Sequence, residues 1–393
     1  MGQRRQPDHV WRLPLVRLDQ SAVDAWRALH ALNALSTPLT SWEFAHLADD
    51  VWGDVEVVLA EDAGRIVFVL PVHLRANRFA RPVGGAFADV HGPLVAPGLQ
   101  LDGAAILRRA GVSAYRFSGL DISSDVFARG AKLAEPHFGV RLDASPRDYL
   151  SARRREHGKW IGICEDVEAR LAGEGRELRL AAPDTADEHF ERLLDWKRDE
   201  AWRTGRFDIL DADCNRRLLD LARKADGAAF GGLHITLLID GRPVAGQFGV
   251  RLGGHYHPWI AASDPDVAEW SPGVLLIART ISAMPALGLG HYELGSGDAH
   301  YKKPFANHSR SPASGVAFGG GVAAIAERAG EAMGRGLEAA PLGRVARAMR
   351  GLRRRADQIA MSETRLVRRA SALAGALVNR PLRTDVLELV DGE

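Results

Sequence analysis

A chain of 393 residues with 46% hydrophobic and 26% charged content is too long for one ordinary core and too apolar for wholesale disorder, which gives two domains and an appendage. A net charge of +1 excludes a generally nucleic-acid-binding surface, so DNA is not an expected partner. Cys164 and Cys214 have no metal-ligand spacing and the first ten residues carry no hydrophobic segment. No run approaches the ~18 apolar residues that span a bilayer, so the expectations are no metal and a cytoplasmic location.

Residues 11–145 read as a mixed α/β unit. Helical spacing runs from Ser21 to Leu35, and Ser41 is placed to cap a second helix to Leu47. The apolar runs 55–60 and 65–72, joined by Glu61-Asp62-Ala63-Gly64, predict a hairpin, and 79–98 a loop or irregular strand pair. Further strands are expected at 115–120 and 140–142.

A polar helical stretch, 146–173, bridges to a second α/β unit. Its expected order is strand 177–180, helices 185–204 and 213–225, and a hairpin of 234–239 with 244–251 about Asp240-Gly241-Arg242-Pro243. Strand 255–262, helix 272–287, strand 291–296, a short helix 298–305 and a strand near 313–318 follow. The domains are therefore drawn as 1–145, a bridging segment 146–175, 176–320, and an Arg- and Ala-rich helical tail 321–393.

Three constellations carry chemistry. Ser271-Pro272-Gly273-Val274 opens a helix with Ser as N-cap and Pro in the first turn, and Gly273 lets a ligand come close to the backbone. That is a seat for an anion such as a pyrophosphate, or simply a well-capped helix. Gly295-Ser296-Gly297-Asp298 then leaves a strand, with Tyr301 and Lys302 three and four residues beyond Asp298. Asp298 is either a helix cap or a proton acceptor, Tyr301 a proton donor and Lys302 an anion-stabilising charge. In His255-Tyr256-His257-Pro258-Trp259 the alternate residues 255, 257 and 259 share a strand face, and Pro258 forfeits a ladder bond where the sheet would open. His257 is either a packed residue or the alternative acceptor. No GxxxxGK[ST], HExxH, GxSxG or GxGxxG after a strand occurs, which disfavours NTPase, zinc-protease, hydrolase and dinucleotide chemistry.

The stretch Tyr149-Leu150-Ser151 with Arg153, Arg154 and Arg155, then Trp202-Arg203, Pro243-Val244-Ala245-Gly246, Ser271 to Leu276, Gly297-Asp298 and Tyr301-Lys302 resembles the CelD/BcsL family, GNAT-like and FemAB-related acyltransferases linked with exopolysaccharides. The similarity covers roughly 145–310. It implies tandem GNAT-like domains with mixed, splayed sheets in an α/β (α+β) fold. It also implies acetyl-CoA or another acyl-CoA as co-substrate, held at Ser271, Pro272, Gly273 and Val274, with Asp298, Tyr301 and Lys302 at the reaction and His257, from the strand reading, as the alternative acceptor. The expected activity is acyl transfer to an amine or hydroxyl of a sugar or polysaccharide precursor. Two alternatives stand beside it: FemAB-like aminoacyl transfer from tRNA, and a non-catalytic assembly factor. The (Q/R)xxGxG/A loop of ordinary GNAT enzymes is missing.

In the tail, Val345, Leu352, Ile359, Leu366 and Leu373 recur every seven residues among many Arg. Packing on the enzyme, self-association, or contact with anionic lipid at the inner membrane are its three expected uses.

Overall fold

The computed structural model describes residues 5–322 except 34–35, 123–124, 130, 206–207, 226, 228 and 297–298. Beyond 322 it describes only the helical positions 324–325, 328–330, 332, 336, 356 and 359–360, so the expected heptad tail lies largely outside the described residues.

The first half supplies strands β1 (His9–Pro14), β2 (Val55–Asp62), β3 (Arg65–Arg75), β4 (Phe79–Pro82), β5 (Leu94–Val95), β6 (Ala114–Asp121), β7 (Lys132–Leu133) and β8 (His137–Arg141). The predicted hairpin is β2 with β3, turned by Ala63 and Gly64 at φ 49° and 73°. Helix α1 (Gln20–Leu32) starts one residue before the expected Ser21, with Asp19 as the cap that accepts from the Ala22 N–H. Helix α2 (Trp42–Trp52) is capped by Ser41, as its sequence predicts. A third helix, α3 (Gly103–Arg109), has Asp102 as its cap and has no counterpart in the sequence reading.

Then come α4 (Pro146–Gly173), β9 (Leu178–Ala181), α5 (Asp187–Thr204), α6 (Asp213–Lys224), β10 (Phe230–Ile239), β11 (Arg242–Leu252) and β12 (His255–Ser263). They are followed by α7 (Pro272–Ala283), β13 (His291–Gly295), α8 (Ala299–Lys302), β14 (His308–Arg310) and β15 (Pro312–Phe318).

Two mixed sheets result, and they exchange strands. One has the order β1-β2-β3-β4-β6-β15-β7, with β5 on β3; the other is β14-β8-β13-β12-β11-β10-β9. Hydrogen-bonded pairing thus crosses both expected segment ends, since 137–141 sits in the second sheet and 312–318 in the first.

Helices cover both faces of the second sheet. On one face α4 and α7 bury Tyr149, Ile161, Cys164, Leu275 and Ile281 against Tyr256 and Tyr292. On the other, α5 and α6 bury Phe190, Leu193 and Leu218 against Phe248 and Ile260, and the same core continues into Trp26 and Phe44 of α1 and α2. Burying large apolar side chains of both halves together resists separation of the two sheets. The 28-residue α4 expected as a bridge is therefore also a wall of the second unit; it kinks at His157 (φ −138°, ψ 51°). Among the described residues no helix is long and apolar enough to cross a membrane.

Candidate active site

Strands β12 and β13 run parallel but pair only through His255 with His291 and Tyr256 with Tyr292. Beyond those two pairs the sheet opens. A bulge in the β11–β12 ladder helps to turn β12: Phe248 faces Ile260 and Gly249 faces Pro258, which leaves Trp259 as the extra residue. A Cβ on Gly249 would lie 2.0 Å from the His257 carbonyl oxygen, so only glycine admits this approach. Trp259 then stacks on Phe87 (5.1 Å between ring centres) and leans on Phe44, both from the first half.

On the α4–α7 face, Tyr256 stacks on Tyr292, and Tyr292 donates to Gln247 Oε1, whose Nε2 donates to Thr280 of α7. This ties the helix to both sides of the opening. Helix α7 begins at Pro272, in its predicted first-turn position. Ser271 is not the expected side-chain cap: it sits in the left-handed region (φ 47°, ψ 49°) and makes no side-chain cap bond. Its carbonyl instead accepts from the Val274 and Leu275 N–H groups. The positive φ lets the preceding turn, Pro265–Trp270, swing directly into the helix. A Cβ on Gly273 would meet nothing within 4 Å, so the helix start faces open space.

The opposite face carries a buried polar chain. His257 Nε2 donates to Asp89 Oδ1 at 2.7 Å, and His137 Nε2 donates to Asp89 Oδ2 at 3.3 Å. The two rings lie 5.5 Å apart and 25° from parallel. His137 Nδ1 faces Glu293 Oε2 at 3.3 Å, close but not aligned as a hydrogen bond, and His255 Nε2 donates to Glu293 Oε1 at 2.9 Å. Arg310 links Glu293 (3.7 Å) to Asp121 (3.3 Å).

Both imidazoles, 137 and 257, are 0% exposed, whereas 35% of the Asp89 side chain reaches solvent. Burial opposes charge on Asp89, but the charge of His257 and the bonds from both histidines outweigh it and hold the carboxyl well below its usual range. Burial likewise opposes charge on His137, yet Asp89 and Glu293 push it up to about 9. Glu293 is buried against ionisation too, and its histidine partners keep it well below the usual range.

The sequence-selected residues divide between these faces. His257 belongs to the polar chain, and His255 shares its face as the alternation predicts. Tyr301 sits on the α4 face, its ring 6.4 Å from that of Trp160. Lys302 Nζ donates to the Ser296 carbonyl at 2.7 Å. The expected helix 298–305 is the single turn α8 followed by a 3-10 turn at Lys303–Phe305. Asp298 lies outside the described residues.

Tyr149 donates to the Phe305 carbonyl (2.6 Å) and Arg153 Nε to the Pro304 carbonyl (3.0 Å), so these two residues anchor that turn to α4. Arg154 pairs with Glu165. Asp89, His137 and Glu293 were not legible as site residues. They come from a loop and two short strands with no shared spacing, and only the His255–His257 alternation gave a signal.

Residues 166–303 match the family described as the acetyltransferase (GNAT) domain. That stretch includes the opened strand pair and α7, so the second half contains a GNAT-type acetyltransferase domain and the chain is an acyltransferase by class. Among solved structures the chain is similar to a tandem GNAT protein from the clavulanic acid biosynthesis pathway, at 13% identity and TM-score 0.47, over 80% of this chain and 99% of that one. It is also similar to L-PGS from Bacillus licheniformis, at 12% and 0.42 over 76% and 91%. FemX is matched at 8% and 0.42, over 70% and 93%. No curated protein sequence matches the chain.

Proposed function

We propose that the protein moves an acetyl or other acyl group from acyl-CoA to an amine or hydroxyl of a sugar or polysaccharide precursor, in the manner of CelD/BcsL-type enzymes, in the cytoplasm or at the inner membrane surface. The observation that carries the reading is the opening between β12 and β13. A helix starts on one face of it with open space at Gly273, and on the opposite face a solvent-reaching carboxylate stands at Asp89.

The fold class implies acyl-CoA in general, and the helix start is suited to its pyrophosphate because the first-turn N–H groups and the positive helix end favour an anion. A thioester lying in the opening would present its carbonyl near His257 and Asp89. An acceptor group bound at Asp89 then attacks directly. Positioning supplies most of the rate, and Asp89 orients the nucleophile by accepting its hydrogen bond. The glycan acceptor rests on the sequence resemblance around Tyr149, Trp202 and Ser271. Aminoacyl-tRNA transfer finds less support, since two of the three arginines at 153–155 that could contact tRNA, Arg153 and Arg154, are engaged with Pro304, Glu156 and Glu165.

The test is thermal unfolding with acetyl-CoA and longer acyl-CoAs, followed by a mass-spectrometric screen of amino and hydroxyl sugars. Wild type is stabilised by mass action and Gly273→Trp, which sets an indole in the open space at the helix start, is not. No stabilisation of wild type by any acyl-CoA overturns the reading.

A further inference from the structure

We propose that Asp89, His137 and His257 form a binding site for one divalent transition-metal ion at the seam between the two sheets. The site does not rest on the acyl-transfer reading and goes beyond it.

One ligand atom from each of the three residues lies within 4.8 Å of the others. Both Nε2 atoms turn to the same carboxylate, at 2.7 and 3.3 Å from its two oxygens. Atoms bound to one ion at roughly 2.0–2.1 Å sit about 3 Å apart, so a small inward adjustment turns these contacts into edges of a coordination polyhedron. Two imidazoles and one carboxylate suit zinc, cobalt, manganese or iron and disfavour magnesium and calcium, which take oxygen ligands.

The surroundings fit a cation as well. Glu293 Oε2 stands 3.3 Å from His137 Nδ1, where an outer carboxylate fixes the ring of a metal-bound histidine. Three carboxylates stand in the cluster, Asp89, Glu293 and Asp121, and the guanidinium of Arg310 reaches the last two. A dication between neutral imidazoles offsets negative charge at Asp89 that is otherwise met by protons on the histidines.

The Asp89 loop is pre-set by neighbours that are not ligands. His91 Nε2 donates to the Ser118 carbonyl, the Tyr115 hydroxyl donates to His91 Nδ1, and the His91 N–H donates to the Gly119 carbonyl. Because the imidazoles are fully covered and Asp89 is not, the remaining coordination positions open only along the Asp89 side. An ion there would lower the pKa of a water or hydroxyl bound along that open side.

Chelator-stripped full-length protein is titrated with Co2+ while visible absorption is followed, and with Zn2+ while thermal unfolding is followed. Expected are one Co2+ per chain with intense ligand-field bands, displacement by Zn2+, and a melting temperature that rises with Zn2+. Asp89→Asn and His257→Gln weaken Co2+ binding at least about 100-fold, and Glu293→Gln about 10- to 100-fold. Wild type without bands and without a Zn2+-dependent rise overturns the site, whatever the variants do. Bands retained at full strength in folded Asp89→Asn overturn it equally. Stabilisation by acetyl-CoA in the presence of chelator reads the acyl-CoA site separately.

Discussion

His257 and Asp89 are 168 residues apart in the chain and 2.7 Å apart in space, so the opened end of one sheet is fastened to a loop of the other. That bond places Asp89, the most exposed member of the buried polar chain at 35% against 16% for His255, where an acceptor can meet it. Asp89→Asn keeps the shape but loses the charge that both imidazoles face. Its kcat is expected to fall about 100-fold or more while KM for acyl-CoA, proposed to bind at α7, stays near the wild-type value. Steady-state kinetics on the acceptor found by screening decide it. A variant with wild-type kcat would remove Asp89 from the reaction.

Gly119 controls the same carboxylate without touching an acceptor. It has φ +89°, and an added Cβ would lie 2.2 Å from the Asp89 carbonyl oxygen. Gly119→Ala therefore forces the Asp89 loop outward, at a cost of about 1–3 kcal/mol, and lowers kcat along with Asp89→Asn. Gly162 in α4 has open space around its Cβ position and ordinary helical φ, so Gly162→Ala stabilises by up to about 1 kcal/mol. Urea unfolding of the two variants should move in opposite directions; equal shifts would contradict the clash.

Local signals carried much of the fold. The β2–β3 hairpin announced itself through two apolar runs around Ala63-Gly64, and Ser41 through its position before an amphipathic helix. Strand exchange did not announce itself. β8 and β15 are ordinary short apolar runs, and nothing in their residues says which sheet they join; only partners more than a hundred residues away decide. Ser271 misled because its residue type favours capping, whereas the approach of the preceding turn imposes a left-handed backbone on it. The site was half legible: alternation put His255 and His257 on one face, but their partners Asp89 and Glu293 are brought there by tertiary packing.

His234 makes folding stability depend on pH. It is buried between Phe190 and Phe248, with Thr236 on Nε2, Asp184 4.0 Å from Nδ1, and His189 and Arg223 as its other charged neighbours. Burial pushes its pKa down to about 4, and Asp184 recovers only part of that. In the unfolded chain it titrates near 6.5, so below that pH the unfolded state binds a proton that the native state refuses. Stability is therefore intact above about 6.5 and lost progressively down to about 4, by about 3 kcal/mol from this residue. Urea unfolding of wild type and His234→Gln at pH 7 and 4.5 measures it. The variant should lose less on acidification, and identical losses would show that His234 is not the group responsible.

The two thiols should differ sharply in reactivity. Cys164 lies on the α4 face against the second sheet, and burial first, then Glu168 and Glu165, push its pKa up to about 12. At pH 8 almost none of it is thiolate, and the apolar wall blocks reagents as well. Cys214, in the first turn of α6, is half-buried. A disulfide reagent at pH 8 should then label one thiol per native chain, and both once the chain is unfolded in urea. Cys214→Ser should leave the native protein unlabelled. Rapid native labelling of Cys164 in that variant would mean that α4 detaches readily from the sheet, and with it the wall that holds Tyr149, Arg153 and the Pro304–Phe305 turn.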